Sequence, residues 1–156
     1  MADFAPTETT RARLVEMARA HVRKYGHRRT TVVGLAADAG MTHANVYRYF
    51  PSKTALLDEV VASGLKPLEA RLREAADGAD PAHDKLERML TAVYRDYRAR
   101  LDDDPSLFDL LVEALVANRS SARKRRSRVQ SELQRVLEEG IAAGAFAMTD
   151  GARRCR

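Results

Sequence analysis

Apolar residues recur along most of the chain at the three- and four-residue spacing of an α-helix, and this periodicity restricts the fold class more than any other feature. Alternating runs of β-branched residues, which would indicate strands, are nearly absent. The 156 residues are enough to bury a core. The sequence contains no run of 18 apolar residues, so no membrane span is predicted. The sequence therefore predicts an all-α protein.

Helix-capping residues divide the pattern into seven predicted helices. The first runs from Thr7 to Tyr25, the second begins with Thr31 as its N-cap, and the third covers Thr42 to Phe50. Ser52 caps a fourth helix, in which we expect a kink or a break near residues 64–67 because this segment contains a proline. A loop at residues 77–81 precedes the fifth helix, and a break at residues 102–105 precedes the sixth; the seventh helix follows the sixth.

Charge is distributed unevenly along the chain. Residues 1–53 carry a net charge of +5, residues 54–118 carry −6, and residues 119–156 carry +6. A basic N-terminal segment favours an anionic partner. Because the only cysteine is Cys155 and no secretory signal is recognisable, we expect a cytoplasmic protein without a disulfide or a thiolate metal cluster.

The second and third helices are joined by a tight turn at residues 39–41, whose central glycine can adopt a positive φ. A short helix–turn–helix within a basic three-helix segment is typical of a DNA-binding module, in which the second of the two helices enters the major groove. The sequence thus predicts that residues 1–53 form a DNA-binding domain and that residues 54–156 form a helical regulatory domain.

The third helix combines core residues with polar ones. Val46 and Phe50 are four residues apart and are expected to be buried, whereas the first turn presents groups that can contact base edges. Asn45 is suited to adenine, and His43 to a guanine acceptor. The predicted DNA-binding residues are Thr31, Thr42, His43, Ala44, Asn45, Tyr47, Arg48, Tyr49 and Lys53.

Residues 10–60 resemble the N-terminal domain of TetR-family transcriptional regulators. The resemblance rests on Gly26, Thr30-Thr31-Val32, Leu35-Ala36, Ala39-Gly40-Met41-Thr42, and Val46-Tyr47-Arg48-Tyr49-Phe50-Pro51-Ser52-Lys53 with Leu56. It implies a repressor that binds a palindromic operator as a homodimer and is released from DNA by a small-molecule effector. It also implies that His43, Ala44, Asn45 and Tyr47 belong to the recognition helix, and that Thr31, Tyr49 and Lys53 contact the DNA backbone.

Two departures from the family pattern matter. Val33 occupies a position where a polar or basic phosphate contact is common. Family members usually continue with two more long helices that form the dimer interface, whereas this sequence ends at TDGARRCR. We therefore expect an incomplete regulatory domain, and the oligomeric state is left open.

The regulatory segment contains large apolar side chains suited to an effector pocket, which the same spacing would also place in an ordinary core. These candidates are Met89, Tyr94, Tyr97, Phe108 and Leu111. The alternative function is a helical module that binds a small molecule or a protein and has weak or lost specific DNA binding. No catalytic grouping, cofactor motif or metal-ligand spacing is recognisable, so we predict neither an enzyme nor a cofactor or metal site.

A run of basic residues at positions 119–128 has two interpretations. The simpler one is a solvent-exposed first turn of the seventh helix, and the other is a contact for nucleic acid or an acidic ligand. The residues concerned are Arg119, Arg123, Lys124, Arg125, Arg126 and Arg128.

Overall fold

The computed structural model describes residues 6–147, and their side chains from residue 9 onward; Cys155 lies outside this part. Within it the chain forms seven α-helices and no strand, which confirms the predicted fold class. The helices are α1 (Pro6–Tyr25), α2 (Val32–Asp38), α3 (His43–Tyr49), α4 (Lys53–Asp77), α5 (Ala82–Asp103), α6 (Pro105–Val116) and α7 (Ser120–Ala142). No helix in the described part is long and apolar enough to cross a membrane.

The helices contribute to two compact units. Unit 1 comprises the described residues up to Leu65 together with Arg98–Lys124, and unit 2 comprises Lys66–Tyr97 together with residues 125–147. The predicted boundary at residue 53, between a DNA-binding and a regulatory domain, is a division by function. These units do not test it, and it stays a prediction.

Unit 1 contains the helix–turn–helix. α1 packs against α2 and α6, and α2 packs against α3. The periodic apolar residues fill its interior, because each helix turns one stripe inward. The side chains that are at most 2% exposed include Leu14, Ala18, Val22, Leu35, Ala36, Val46, Phe50, Leu56, Leu65, Leu110 and Ala114.

Unit 2 has a core of its own around Met89, which is fully buried. Leu72 of α4 and Val136 of α7 pack in the same cluster, and Leu133 and Phe146 lie against it. Apolar residues of α5 and α7 therefore contribute to one core, although Leu90 and Tyr94 of α5 are more than half exposed.

The break considered near residues 64–67 does not occur, because α4 runs uninterrupted from Lys53 to Asp77 with Pro67 inside it. Proline costs about 3 kcal/mol or more in a helix interior. Two observations account for the continuity. The flanking residues Leu65 and Leu68 are 1% and 3% exposed, and Arg100 donates a hydrogen bond of 2.8 Å to the carbonyl of Gly64.

The basic run at the start of α7 departs from the prediction of a fully exposed surface. Arg125 is 7% exposed and lies 3.2 Å from Glu69, which also pairs with Arg128 at 3.1 Å. Arg119 pairs with Glu113 and lies 3.5 Å from Asp58. The simpler interpretation is therefore wrong for the buried arginine, because a carboxylate from α4 compensates its charge.

Candidate nucleic-acid interface

The turn between α2 and α3 depends on Gly40, which adopts a φ of +66°. Its N–H donates to the carbonyl of Ala37 at 3.1 Å, and the N–H of Met41 donates to the carbonyl of Ala36 at 2.9 Å. These two bonds satisfy two of the last carbonyls of α2, and the chain changes direction within three residues. The short connection fixes α3 against α2, as a helix–turn–helix requires.

Both short helices begin at a threonine, as predicted. The hydroxyl oxygen of Thr31 accepts from the N–H of Gly34 at 3.0 Å, and that of Thr42 accepts from the N–H of Asn45 at 3.3 Å. Both side chains are exposed. A hydroxyl that accepts in this way keeps its own proton available for a second partner, such as a phosphate oxygen.

α3 has one buried and one exposed side. Val46 is fully buried and Phe50 is 2% exposed, with the guanidinium of Arg11 lying 4.8 Å from the centre of the Phe50 ring. With this side anchored, the predicted DNA-contact residues are exposed to solvent to different degrees. His43, Ala44, Tyr47 and Arg48 are exposed, and Asn45 and Tyr49 are half-buried.

Four predicted residues line one open concavity beside the turn. They are Thr42, Ala44, Asn45 and Arg48, and they share the concavity with the turn residues Gly40 and Met41. An arginine, an amide and a hydroxyl are there presented together, a combination of donors and acceptors that suits base edges and phosphates.

Lys53 begins α4 and is partly buried. Its ammonium group donates to the carbonyl of Arg28 at 3.0 Å, which ties the start of α4 to the loop before α2. Because an ammonium group has three donors, this bond leaves others for an anion. The N–H of Ala55 is capped by the hydroxyl of Ser52 at 3.0 Å, as predicted for the start of α4.

The five candidate pocket residues are divided between the two units. Met89 is buried in the core of unit 2, where Tyr97 packs partly against it and Tyr94 is 66% exposed. Phe108 is half-buried in unit 1, and Leu111 there is 3% exposed. Their role in binding an effector stays a prediction.

His27 is buried at a contact with α6. Its Nε2 lies 2.6 Å from the carboxylate of Glu113, and its Nδ1 lies 3.4 Å from that of Asp109. The hydrogen bond from His27 lowers the pKa of Glu113 below its usual value, and the nearby Arg119 and Arg28 act in the same direction. No sequence signal identifies this contact, because its partners are more than 80 residues apart.

A cluster of potential metal ligands lies on the first turns of α5. The ligand atoms of His83, Asp84 and Glu87 lie within 4.8 Å of one another, and none of the three side chains is buried. Exposed groups of this kind are common without a metal, and this cluster carries no metal assignment.

Two family models match this sequence. Residues 14–60 match the model described as bacterial regulatory proteins of the tetR family, and residues 82–156 match the model described as a tetracyclin repressor-like C-terminal domain. The chain belongs to the TetR family. The resemblance inferred from the sequence is thereby confirmed, and the first match contains α2, the turn and α3.

Individual TetR-family relatives agree with this assignment. The HTH-type transcriptional regulator YhgD of Bacillus subtilis is 25% identical over 138 residues, which are 88% of this chain and 72% of YhgD. The HTH-type transcriptional repressor KstR2 of Mycobacterium tuberculosis is 30% identical over 108 residues, or 61% of this chain, and the match spans 54% of KstR2. The crystal structure of the regulator PfmR from Thermus thermophilus superposes with a TM-score of 0.64 at 28% identity, covering 90% of this chain and 77% of PfmR.

TetR-family proteins are transcriptional regulators that bind DNA operators and small-molecule effectors, usually as dimers. Family membership also confirms the prediction that the chain is not an enzyme.

Proposed function

We propose that this chain is a transcriptional repressor whose helix–turn–helix binds a palindromic operator as a homodimer. The observation that carries the proposal is the two-sided character of α3, in which Val46 and Phe50 are buried while His43, Tyr47 and Arg48 are exposed. A recognition helix needs this arrangement, since it must be held rigidly by the module and still present side chains to the major groove.

The proposed contacts follow from side-chain chemistry. Asn45 reads an adenine through its amide, and His43 donates to a guanine acceptor. Thr42, Ala44 and Arg48 complete the surface of the recognition helix. Thr31, Tyr47, Tyr49 and Lys53 contact phosphates, which position the module without reading sequence.

Residues 1–53 are the proposed DNA-binding domain, and residues 54–156 the proposed regulatory domain. The candidate effector-binding residues are Met89, Tyr94 and Tyr97 in unit 2 and, separately, Phe108 and Leu111 in unit 1. An effector held by either group would release the DNA if it binds the free protein better than the DNA-bound form. In a homodimer, half-sites one helical turn apart, about 34–36 Å, are required for both modules to bind together. An effector that changes this spacing therefore lowers operator affinity.

DNA binding is tested with a labelled duplex from immediately upstream of the gene and a scrambled duplex of the same composition. We expect tighter binding to the upstream duplex and a steep decrease of affinity with salt. Asn45→Ala should reduce the preference by about 1–3 kcal/mol and leave binding to the scrambled duplex unchanged. Gln130→Ala is the matched control, because Gln130 is an exposed amide on α7.

Two outcomes would contradict the proposal. Equal, weak binding to both duplexes would favour the alternative of a helical ligand- or protein-binding module. A retained preference in Asn45→Ala, with no difference from Gln130→Ala, would remove Asn45 from base recognition even if the protein binds DNA.

A further inference from the structure

The loop between α1 and α2 buries two of its side chains and exposes the two arginines between them. His27 is 5% exposed and Thr30 is 2% exposed, whereas Arg28 and Arg29 are exposed. The buried residues on either side leave these arginines directed away from the core, immediately before the exposed Thr31 that caps α2.

The backbone that carries the two arginines is fixed by contacts on both sides. Thr30 donates to the carbonyl of Gly26 through its N–H at 3.1 Å and through its hydroxyl at 3.0 Å. Lys53, from the start of α4, donates to the carbonyl of Arg28 at 3.0 Å. A loop held in this way presents its side chains with little loss of backbone entropy on binding.

Three of the four arginines of α1 have acidic partners, in contrast to those of the loop. Arg11, Arg19 and Arg23 each lie within 3.5 Å of a carboxylate. Among residues 9–147, no hydrogen bond or ion pair joins the side chain of Arg28 or Arg29 to a carboxylate. Arg28 is close enough to Glu113 to help lower the pKa of that carboxyl group, but neither loop arginine has to break a direct ion pair before it binds an external anion.

From these observations we propose that Arg28 and Arg29 form an additional phosphate-binding element for the DNA backbone, next to the phosphate contact of Lys53. The ligand is a DNA phosphodiester, which a guanidinium group can bind through two parallel hydrogen bonds. Val33 in the first turn of α2 is 67% exposed and apolar, so it offers no such bond. The loop arginines supply positive charge immediately before the N-cap of α2. This inference rests on the proposed DNA-binding function.

The test compares Arg28→Ala and Arg29→Ala in the full chain with Arg126→Ala. The control removes the same charge from an exposed arginine on α7 in unit 2. Binding to the upstream and the scrambled duplexes is measured between about 50 and 200 mM salt. Each loop variant should weaken binding to both duplexes by the same factor, and the slope of log K against log salt should become shallower by about 0.9 for each phosphate that the variant no longer binds.

The lysine variants distinguish a charge effect from a geometric one. Arg28→Lys and Arg29→Lys should retain the salt slope and lose affinity, because an ammonium group cannot form the paired bonds of a guanidinium group. Equal melting temperatures for all variants would show that the loop remains folded. If an alanine variant melts at a lower temperature, the affinity and salt slope of the corresponding lysine variant are used to test that arginine.

Specific results would overturn the inference. An unchanged salt slope in both alanine variants contradicts it, as does an equal change in Arg126→Ala, which would indicate a general effect of net charge. A loss confined to the upstream duplex would indicate base recognition instead. If the unmodified chain binds neither duplex in a salt-dependent way, the proposed function itself fails, and this outcome is distinct from the others.

Discussion

Glu113→Ala tests the contact between the loop before α2 and helix α6. The carboxylate of Glu113 accepts from His27 at 2.6 Å and also pairs with Arg119. Glu113→Ala removes the shorter of the two carboxylate contacts of His27. Because His27 is only 5% exposed, water replaces the lost hydrogen bond poorly. The Asp109 carboxylate, 3.4 Å from the other ring nitrogen, is the remaining acidic partner.

The expected loss follows from the burial of the two groups. Hydrogen bonds to charged groups contribute about 1.5–3 kcal/mol, and a buried donor left without its partner costs a similar amount. Because the Glu113 side chain is 35% exposed, solvent screens part of this interaction. We therefore expect Glu113→Ala to lower the free energy of unfolding by about 1–2 kcal/mol, or the melting temperature by about 2–8 °C.

Urea denaturation of a double-mutant cycle measures this contribution. The cycle combines His27→Ala with Glu113→Ala, and we expect a coupling energy of about 1 kcal/mol because the two groups are in direct contact. Asp109→Ala is the control, since the Asp109 side chain is 67% exposed and should contribute less than about 0.5 kcal/mol. Additive effects of the two single substitutions, or an equal loss in the control, would refute the reasoning.

Further predictions concern pH, the turn, the core and a buried ion pair. Because the pKa of Glu113 is lowered in the folded protein, its carboxylate stabilises the fold above the ordinary value of 4.5, and this stability is lost as the pH falls through the folded pKa. The free energies of unfolding of Glu113→Gln and of the unmodified chain, measured with urea, should therefore differ less in acid than at neutral pH. Gly40→Ala should cost about 1–2 kcal/mol in the same assay, because φ is +66° although no atom obstructs a methyl group. Val46→Ala should cost about 2 kcal/mol, and unchanged stability would contradict its burial. Arg125→Ala should cost about 1–3 kcal/mol, because Glu69 loses its buried partner but keeps Arg128, whereas Arg125→Ala combined with Glu69→Ala should recover part of that loss.

Local sequence signals predicted most of the helix–turn–helix. Thr31 and Thr42 cap their helices through their own side chains, and Gly40 takes the positive φ that the turn requires. These features depend on residues no more than five positions apart, so a single sequence contains the information. The burial of Val46 and Phe50 follows equally directly from their spacing on one side of α3.

Contacts between distant segments could not be predicted in the same way. The distance of 2.6 Å between His27 and Glu113 joins residues 86 positions apart, and neither residue type is unusual where it stands. The pairing of Arg125 with Glu69 is similar, because a basic run looks the same in sequence whether it is solvated or matched by a carboxylate from another helix. The spacing of Tyr94 suggested burial, yet this side chain is 66% exposed.

Both basic segments contain arginines paired with carboxylates as well as exposed basic residues, so net charge alone does not identify the candidate interface. Residues 119–156 carry +6, but Arg119, Arg125 and Arg128 pair with carboxylates from the acidic segment 54–118. Residues 1–53 carry only +5, and three arginines of α1 are paired there, but Arg29 and Arg48 are exposed and no ion pair joins them to a carboxylate among residues 9–147. An arginine already paired must lose its partner before it can bind a phosphate, whereas an exposed unpaired arginine releases only water and counterions. DNA binding by this chain should therefore depend on the exposed arginines around the helix–turn–helix more strongly than on the paired Arg119, Arg125 and Arg128.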